Sequence, residues 1–159
     1  MQFSHIIQIN DPSDPSIPPL SREQLWRGLV TRAERPSYFI IGMDECQILD
    51  RSADTLQRQL RYGSLLVRDR VTFEPPVQVR YDIDTSEEVP GGSLVMRIEE
   101  PQSQQLFVRF DYELRVEGGT VNDYYNEFRK AAYVESDIDT VRMIRQLAAS
   151  GLLDEQYLA

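Results

Sequence analysis

One histidine, one cysteine and a shortage of positive charge bound what this chain can do before any pattern in it is read. Cys46 has no partner within the chain, which excludes an internal disulfide and agrees with a reducing compartment, so the cytoplasm is the expected location. His5 is the only imidazole and no carboxylates cluster at ligand spacing, so no metal site is expected. Lys and Arg total 17 against 26 Asp and Glu, and the net charge of −9 repels a phosphate backbone, which argues against nucleic acid and anionic membranes as partners. There is no run of about 18 apolar residues, and the opening MQFSHIIQINDP lacks a basic start before a long apolar core. Neither a membrane span nor a signal peptide is expected. A P-loop, a Gly-x-Ser-x-Gly elbow and a Gly-x-Gly-x-x-Gly turn are all missing, so no cofactor is expected and no reaction is written in a motif. The oligomeric state is not fixed by any of this, and a homodimer stays open.

What is present is periodic. Phe3, His5, Ile7 and Ile9 share one face of a first strand. Pro12, Pro15, Pro18 and Pro19 make a stiff connection to a helix opened by Ser21, whose side chain is placed to cap Gln24 while Leu20 staples onto Leu25. Leu25, Trp26, Leu29, Val30 and Ala33 supply its buried stripe, and Pro36 ends it or starts a short second helix. From Cys46 to Val116 about six short strands alternate with turn signals, the pattern of an antiparallel sheet with one wet face. The clearest runs from Leu106 to Val116, with Phe110 and Tyr112 on its inward row. After Gly118-Gly119 the period changes, and Asn122 to Ser150 reads as one helix of about 40 Å, with Tyr124, Phe128, Ala131, Ile138, Val141 and Ala148 near helical spacing. Strand, helix, six strands and a long helix make an α+β arrangement with the helices on one sheet face.

This order of elements resembles the helix-grip fold of the START/Bet v 1-like (SRPBCC) superfamily. More narrowly, LSREQLWRGLVTRAERPSYFI, GGSLVMRIEEP and LFVRFDYEL are similar to the AtaL-like subfamily. The resemblance implies a single ligand-binding domain over residues 1–159, a curved antiparallel sheet around the C-terminal helix, and an apolar cavity between them. Some members of the superfamily are cyclases or hydrolases. One departure is that Asp50-Arg51-Ser52-Ala53-Asp54 stands where the plant Bet v 1 proteins carry a glycine-rich loop, so functions tied to that loop do not transfer.

Register arithmetic places polar groups on the helix side. A two-residue turn at Gly63-Ser64 sets Arg58 opposite Asp69 and Leu56 opposite Val71. Pairing Val77 with Phe73 in the next hairpin sets Tyr81 opposite Asp69. Arg58, Asp69 and Tyr81 then form a polar row across an apolar face, either orienting the polar end of a ligand or, for the two charges, satisfying one another and fixing register. His5 on the inward face is a structural hydrogen-bonding residue or a general base. Cys46, beside Ile48, reads as a small buried hydrophobe. Glu99 and Glu100 point to opposite faces and cannot act as an acid/base couple. Trp26, Phe110, Tyr112 and Phe128 serve as pocket wall or as core. The leading function is binding of a small apolar molecule; the rivals are a cyclase or hydrolase using Arg58, Asp69, Tyr81 and His5, and an interaction module with a filled interior.

Overall fold

The computed structural model describes residues 1–115 and 120–154. Among them seven strands, β1 (Gln2–Asn10), β2 (Glu45–Arg51), β3 (Thr55–Tyr62), β4 (Leu65–Glu74), β5 (Gln78–Ile83), β6 (Gly92–Glu99) and β7 (Leu106–Leu114), form one antiparallel sheet. Its order is β1-β7-β6-β5-β4-β3-β2, so only β1 is out of sequence, returning to pair with β7. Two helices, α1 (Arg22–Glu34) and α2 (Thr120–Ala149), complete the helix-grip architecture, with a single 3-10 turn at Pro36–Tyr38 after α1. Val116 and the Gly118-Gly119 break lie outside the described residues.

Local chemistry explains the elements. Ser21 and Gln24 form the reciprocal capping box expected at the start of α1. The buried face of α1 is Leu25, Gly28, Leu29, Arg32 and Ala33, which is helical spacing with one arginine inside it. Every second residue of β7 from Leu106 to Leu114 is buried, as alternation requires. At the end of α2 the amide of Leu152 reaches the carbonyl of Leu147 and that of Gly151 reaches Ala148, with Gly151 at φ 76°; this is a Schellman stop that uses the glycine's freedom at positive φ.

The long helix runs unbroken for 30 residues, about 45 Å; Val141 and Ala148 of the expected stripe meet the core, but the rest of that stripe does not. Tyr124 and Phe128 are 81% and 73% exposed, and Ala131 and Ile138 also face solvent. The face turned to the sheet is Asp137, Thr140, Val141 and Ile144. Two of those four are polar, so a search for apolar residues alone rotates the helix away from its true buried side.

Where α1 crosses α2, Gly28 lies against Ile144 so closely that an added Cβ would come within 2.7 Å of the isoleucine Cγ2. The glycine is there to let the helices approach. Gly28→Val is expected to cost about 1–3 kcal/mol through overpacking, and Ile144→Ala should cost less in that background than in wild type. Urea denaturation of the four proteins of this double-mutant cycle measures the coupling.

Candidate functional site

The β3–β4 hairpin has the register expected of a two-residue turn: Tyr62 faces Leu65, Leu60 faces Val67, Arg58 faces Asp69 and Leu56 faces Val71. Arg58 and Asp69 are 2% and 6% exposed. Arg58 Nε donates to Asp69 Oδ1 at 2.8 Å, Nη2 donates to Oδ2, and Nη1 donates to the Ala33 carbonyl at 2.8 Å. One guanidinium therefore neutralises a buried carboxylate and closes a carbonyl at the end of α1, where positive charge is favoured. Burial works against its charge, but the bonds to Asp69 outweigh it and hold the guanidinium above its ordinary pKa.

Tyr81 is shifted by two residues from the expected register. It pairs with Val71, while Asp69 pairs with Ile83. The Val77 amide closes the Pro75-Pro76 turn onto the Glu74 carbonyl at 2.7 Å, which takes Val77 out of the ladder. A shift of two preserves the face, so Tyr81 still points inward. The guanidinium carbons of Arg58 and Arg32 each lie 5.2 Å from its ring centroid, and its buried hydroxyl makes no hydrogen bond among the described residues.

These groups border a cavity of about 470 Å³ between the sheet and α2. Arg32, Arg58, Asp69 and Tyr81 form one polar group in its lining and Tyr112, Arg129, Tyr133 and Ser136 add others, while Leu60, Leu94 and Leu114 are among its apolar walls. Arg32, which the sequence reading did not single out, is 8% exposed, and its Nε donates to Thr140 Oγ1 at 3.2 Å. Its position at i+3 from Leu29 and i+7 from Leu25 was the signal that it lies on the buried stripe. A larger open groove of about 790 Å³ runs between the proline-rich segment and the start of α1, but none of the expected site residues lines it.

Behind Tyr112 stands a second polar group, also unforeseen. Asp137 of α2 is fully buried, and its Oδ2 receives the Tyr112 hydroxyl at 2.6 Å and faces His5 Nε2 at 2.7 Å. Its Oδ1 has no partner among the described residues. Burial raises the Asp137 pKa against the opposing pull of Tyr112 and His5, and it raises the Tyr112 pKa as well, with the Asp137 charge adding to that rise. The His5 ring stacks on Phe110 at 5.0 Å between centroids. His5 is thus a hydrogen-bonded partner of α2 and lies outside the cavity lining.

The remaining expected positions divide. Phe110 is completely buried in the core and Trp26 packs half-buried against it, neither at the cavity wall, while Phe128 stands in solvent. Cys46 is half-buried opposite Leu60, and burial pushes its thiol pKa up. Glu99 pairs with Arg109 and Glu100 with Arg22 at the surface. Among the described residues no group of three or more His, Cys, Asp or Glu is placed to hold a metal ion, and no helix is long and apolar enough to cross a membrane.

Residues 7–151 match the family model described as AtaL, acetylaranotin biosynthesis cluster protein L. The chain belongs to that family. A search of curated proteins finds no match. Among solved structures, the Zhui aromatase/cyclase from a Streptomyces species is similar at 14% identity and TM-score 0.60, with 91% of this chain and 90% of that one covered. A START superfamily protein from Mycobacterium smegmatis is similar at 10% identity and TM-score 0.63, covering 92% and 98%. The di-domain ARO/CYC StfQ from the steffimycin biosynthetic pathway is similar at 12% identity and TM-score 0.65, with 94% of this chain but 51% of that one covered. At these identities the likeness is one of fold.

Two measurements follow from the buried charges. Asp69→Ala leaves the Arg58 guanidinium buried without its carboxylate and is expected to cost about 3–5 kcal/mol in urea denaturation; a loss below about 1 kcal/mol would mean that the pair behaves as if exposed. Asp137 titrates with the opposite sign to a salt-bridged carboxylate. Its folded pKa lies above its unfolded one, so the native state binds the extra proton between the two values. Wild type should gain stability relative to Asp137→Asn as pH falls through the raised pKa, levelling off below about 3.9, the ordinary Asp value. Denaturation midpoints of the two proteins across that range check the sign.

Proposed function

We propose that the chain binds a small, mostly apolar molecule in the cavity between the sheet and α2. The observation that carries this reading is the space itself: about 470 Å³ whose lining combines apolar side chains with polar ones, the composition of small-molecule sites. An interaction module with a filled interior would not need that space. Within the site Arg58 and Asp69 act as a fixed scaffold, since three guanidinium nitrogens are already engaged, and the Tyr112 hydroxyl is committed to Asp137, so Arg32 and Tyr81 are the groups left beside Arg58 to meet a ligand.

A catalytic reading has its own support. Two of the similar structures are titled as an aromatase/cyclase and an ARO/CYC protein. In this chain Arg32 and the free hydroxyl of Tyr81 flank one end of the cavity, where they would stabilise negative charge growing on a carbonyl oxygen. On that reading Tyr81→Phe abolishes turnover of a poly-β-ketone while leaving its binding within about threefold.

The binding reading is tested by titrating a fluorescent apolar probe into wild type, Ser136→Phe and Ala131→Trp. Ser136 lines the cavity, and Ala131 is on the solvent side of the same helix. Filling the space should weaken the probe by at least about tenfold in the Ser136 variant, with the Ala131 variant binding as wild type does. Equal affinity in all three folded proteins would rule the cavity out as the site.

A further inference from the structure

Charge is distributed in opposite senses over the chain and around its cavity. Acidic residues outnumber basic ones by 26 to 17 in the sequence, yet among the described residues the charged side chains lining the cavity are three arginines, Arg32, Arg58 and Arg129, and one carboxylate, Asp69. Asp69 is committed to Arg58. Among the described residues Arg32 and Arg129 donate to neutral oxygens, Thr140 Oγ1 and the Tyr133 hydroxyl, and neither forms an ion pair with a carboxylate. Asp137, whose field reaches Arg32, is turned to His5 and Tyr112. Burial opposes the Arg32 charge while Asp137 and the neighbouring tyrosines favour it from a distance, but no carboxylate touches the guanidinium, and among the described residues the Tyr81 hydroxyl beside it is a buried donor with nothing to donate to. Both defects are repaired by one acceptor that carries negative charge.

We infer that the ligand carries an anionic oxygen group, a carboxylate or an equally acidic enol, seated between Arg32 and the Tyr81 hydroxyl, with its apolar body against Leu60, Leu94 and Leu114. This rests on the reading of the cavity as a ligand site and narrows it. A neutral ligand of the same shape would satisfy the hydroxyl and leave the arginine without a direct anionic partner. The acidic exterior adds selectivity of a second kind, because it slows the approach of anions in general and leaves only those with enough apolar surface to bind.

The test compares anthracene-2-carboxylate with anthracene-2-carboxamide, which share shape and differ in charge, by fluorescence titration at pH 7. Wild type should bind the carboxylate at least about tenfold more tightly. That ratio should fall to near one in Arg32→Met, persist in part in Arg32→Lys, and shrink in Tyr81→Phe, which keeps the ring and serves if the methionine variant fails to fold. Equal binding of both probes by wild type, or a ratio that survives in Arg32→Met, overturns the anionic assignment and leaves the cavity reading standing. Failure of wild type to bind either probe overturns both.

Discussion

Arg58 is held at three points by two different parts of the fold, and the arrangement of the cavity depends on it. Its guanidinium donates to both carboxylate oxygens of Asp69 across the β3–β4 hairpin and to the carbonyl of Ala33 at the end of α1. The hairpin register, the depth of α1 on the sheet and the position of the next residue back, Arg32, are thereby linked. Fully buried ion pairs are weak sources of net stability, because desolvation consumes most of what the attraction returns. Their use is to penalise alternatives: a slip of one residue between the two strands would turn Arg58 and Asp69 to opposite faces and leave one of them buried without its partner.

The interior is consequently more polar than a cavity protein of this size requires. One cluster, Arg58, Asp69 and Tyr81, belongs to the strands at one side of the sheet; the other, His5, Tyr112 and Asp137, joins β1 and β7 to α2. Arg32 stands between them, over the Tyr81 ring and against Thr140. Among the described residues the Tyr81 hydroxyl and Asp137 Oδ1 are left without a hydrogen-bond partner. Such unpaired atoms are expensive in a core and useful in a site.

The acidic composition predicts a negative surface and says nothing of the sign inside. A cation-binding role, which the charge of −9 invites, runs against a cavity whose charged lining among the described residues is Arg32, Arg58 and Arg129 with one carboxylate, Asp69, already paired. Net charge averages over the exposed side chains, whereas a ligand in a low-dielectric pocket responds to the few charges within reach. In this chain the two point in opposite directions.

Alternation along the strands, the Ser21 capping box, the Gly63-Ser64 turn and the stop at Gly151 were enough to determine the order of elements, the inward face of each strand and the Arg58–Asp69 pair, because each depends on residues close in sequence or joined by a tight turn. The two-residue displacement of Tyr81 arose where Val77 joined the Pro75-Pro76 turn, a choice of hydrogen-bond partner that leaves no trace in the hydrophobic pattern. The rotation of α2 had to wait for the tertiary structure. Its buried face contains Asp137 and Thr140, which look like solvent residues until His5 and Tyr112 arrive from strands more than a hundred and about twenty-five positions away respectively. Polar groups are buried only when a partner meets them, and the partner is supplied by the fold.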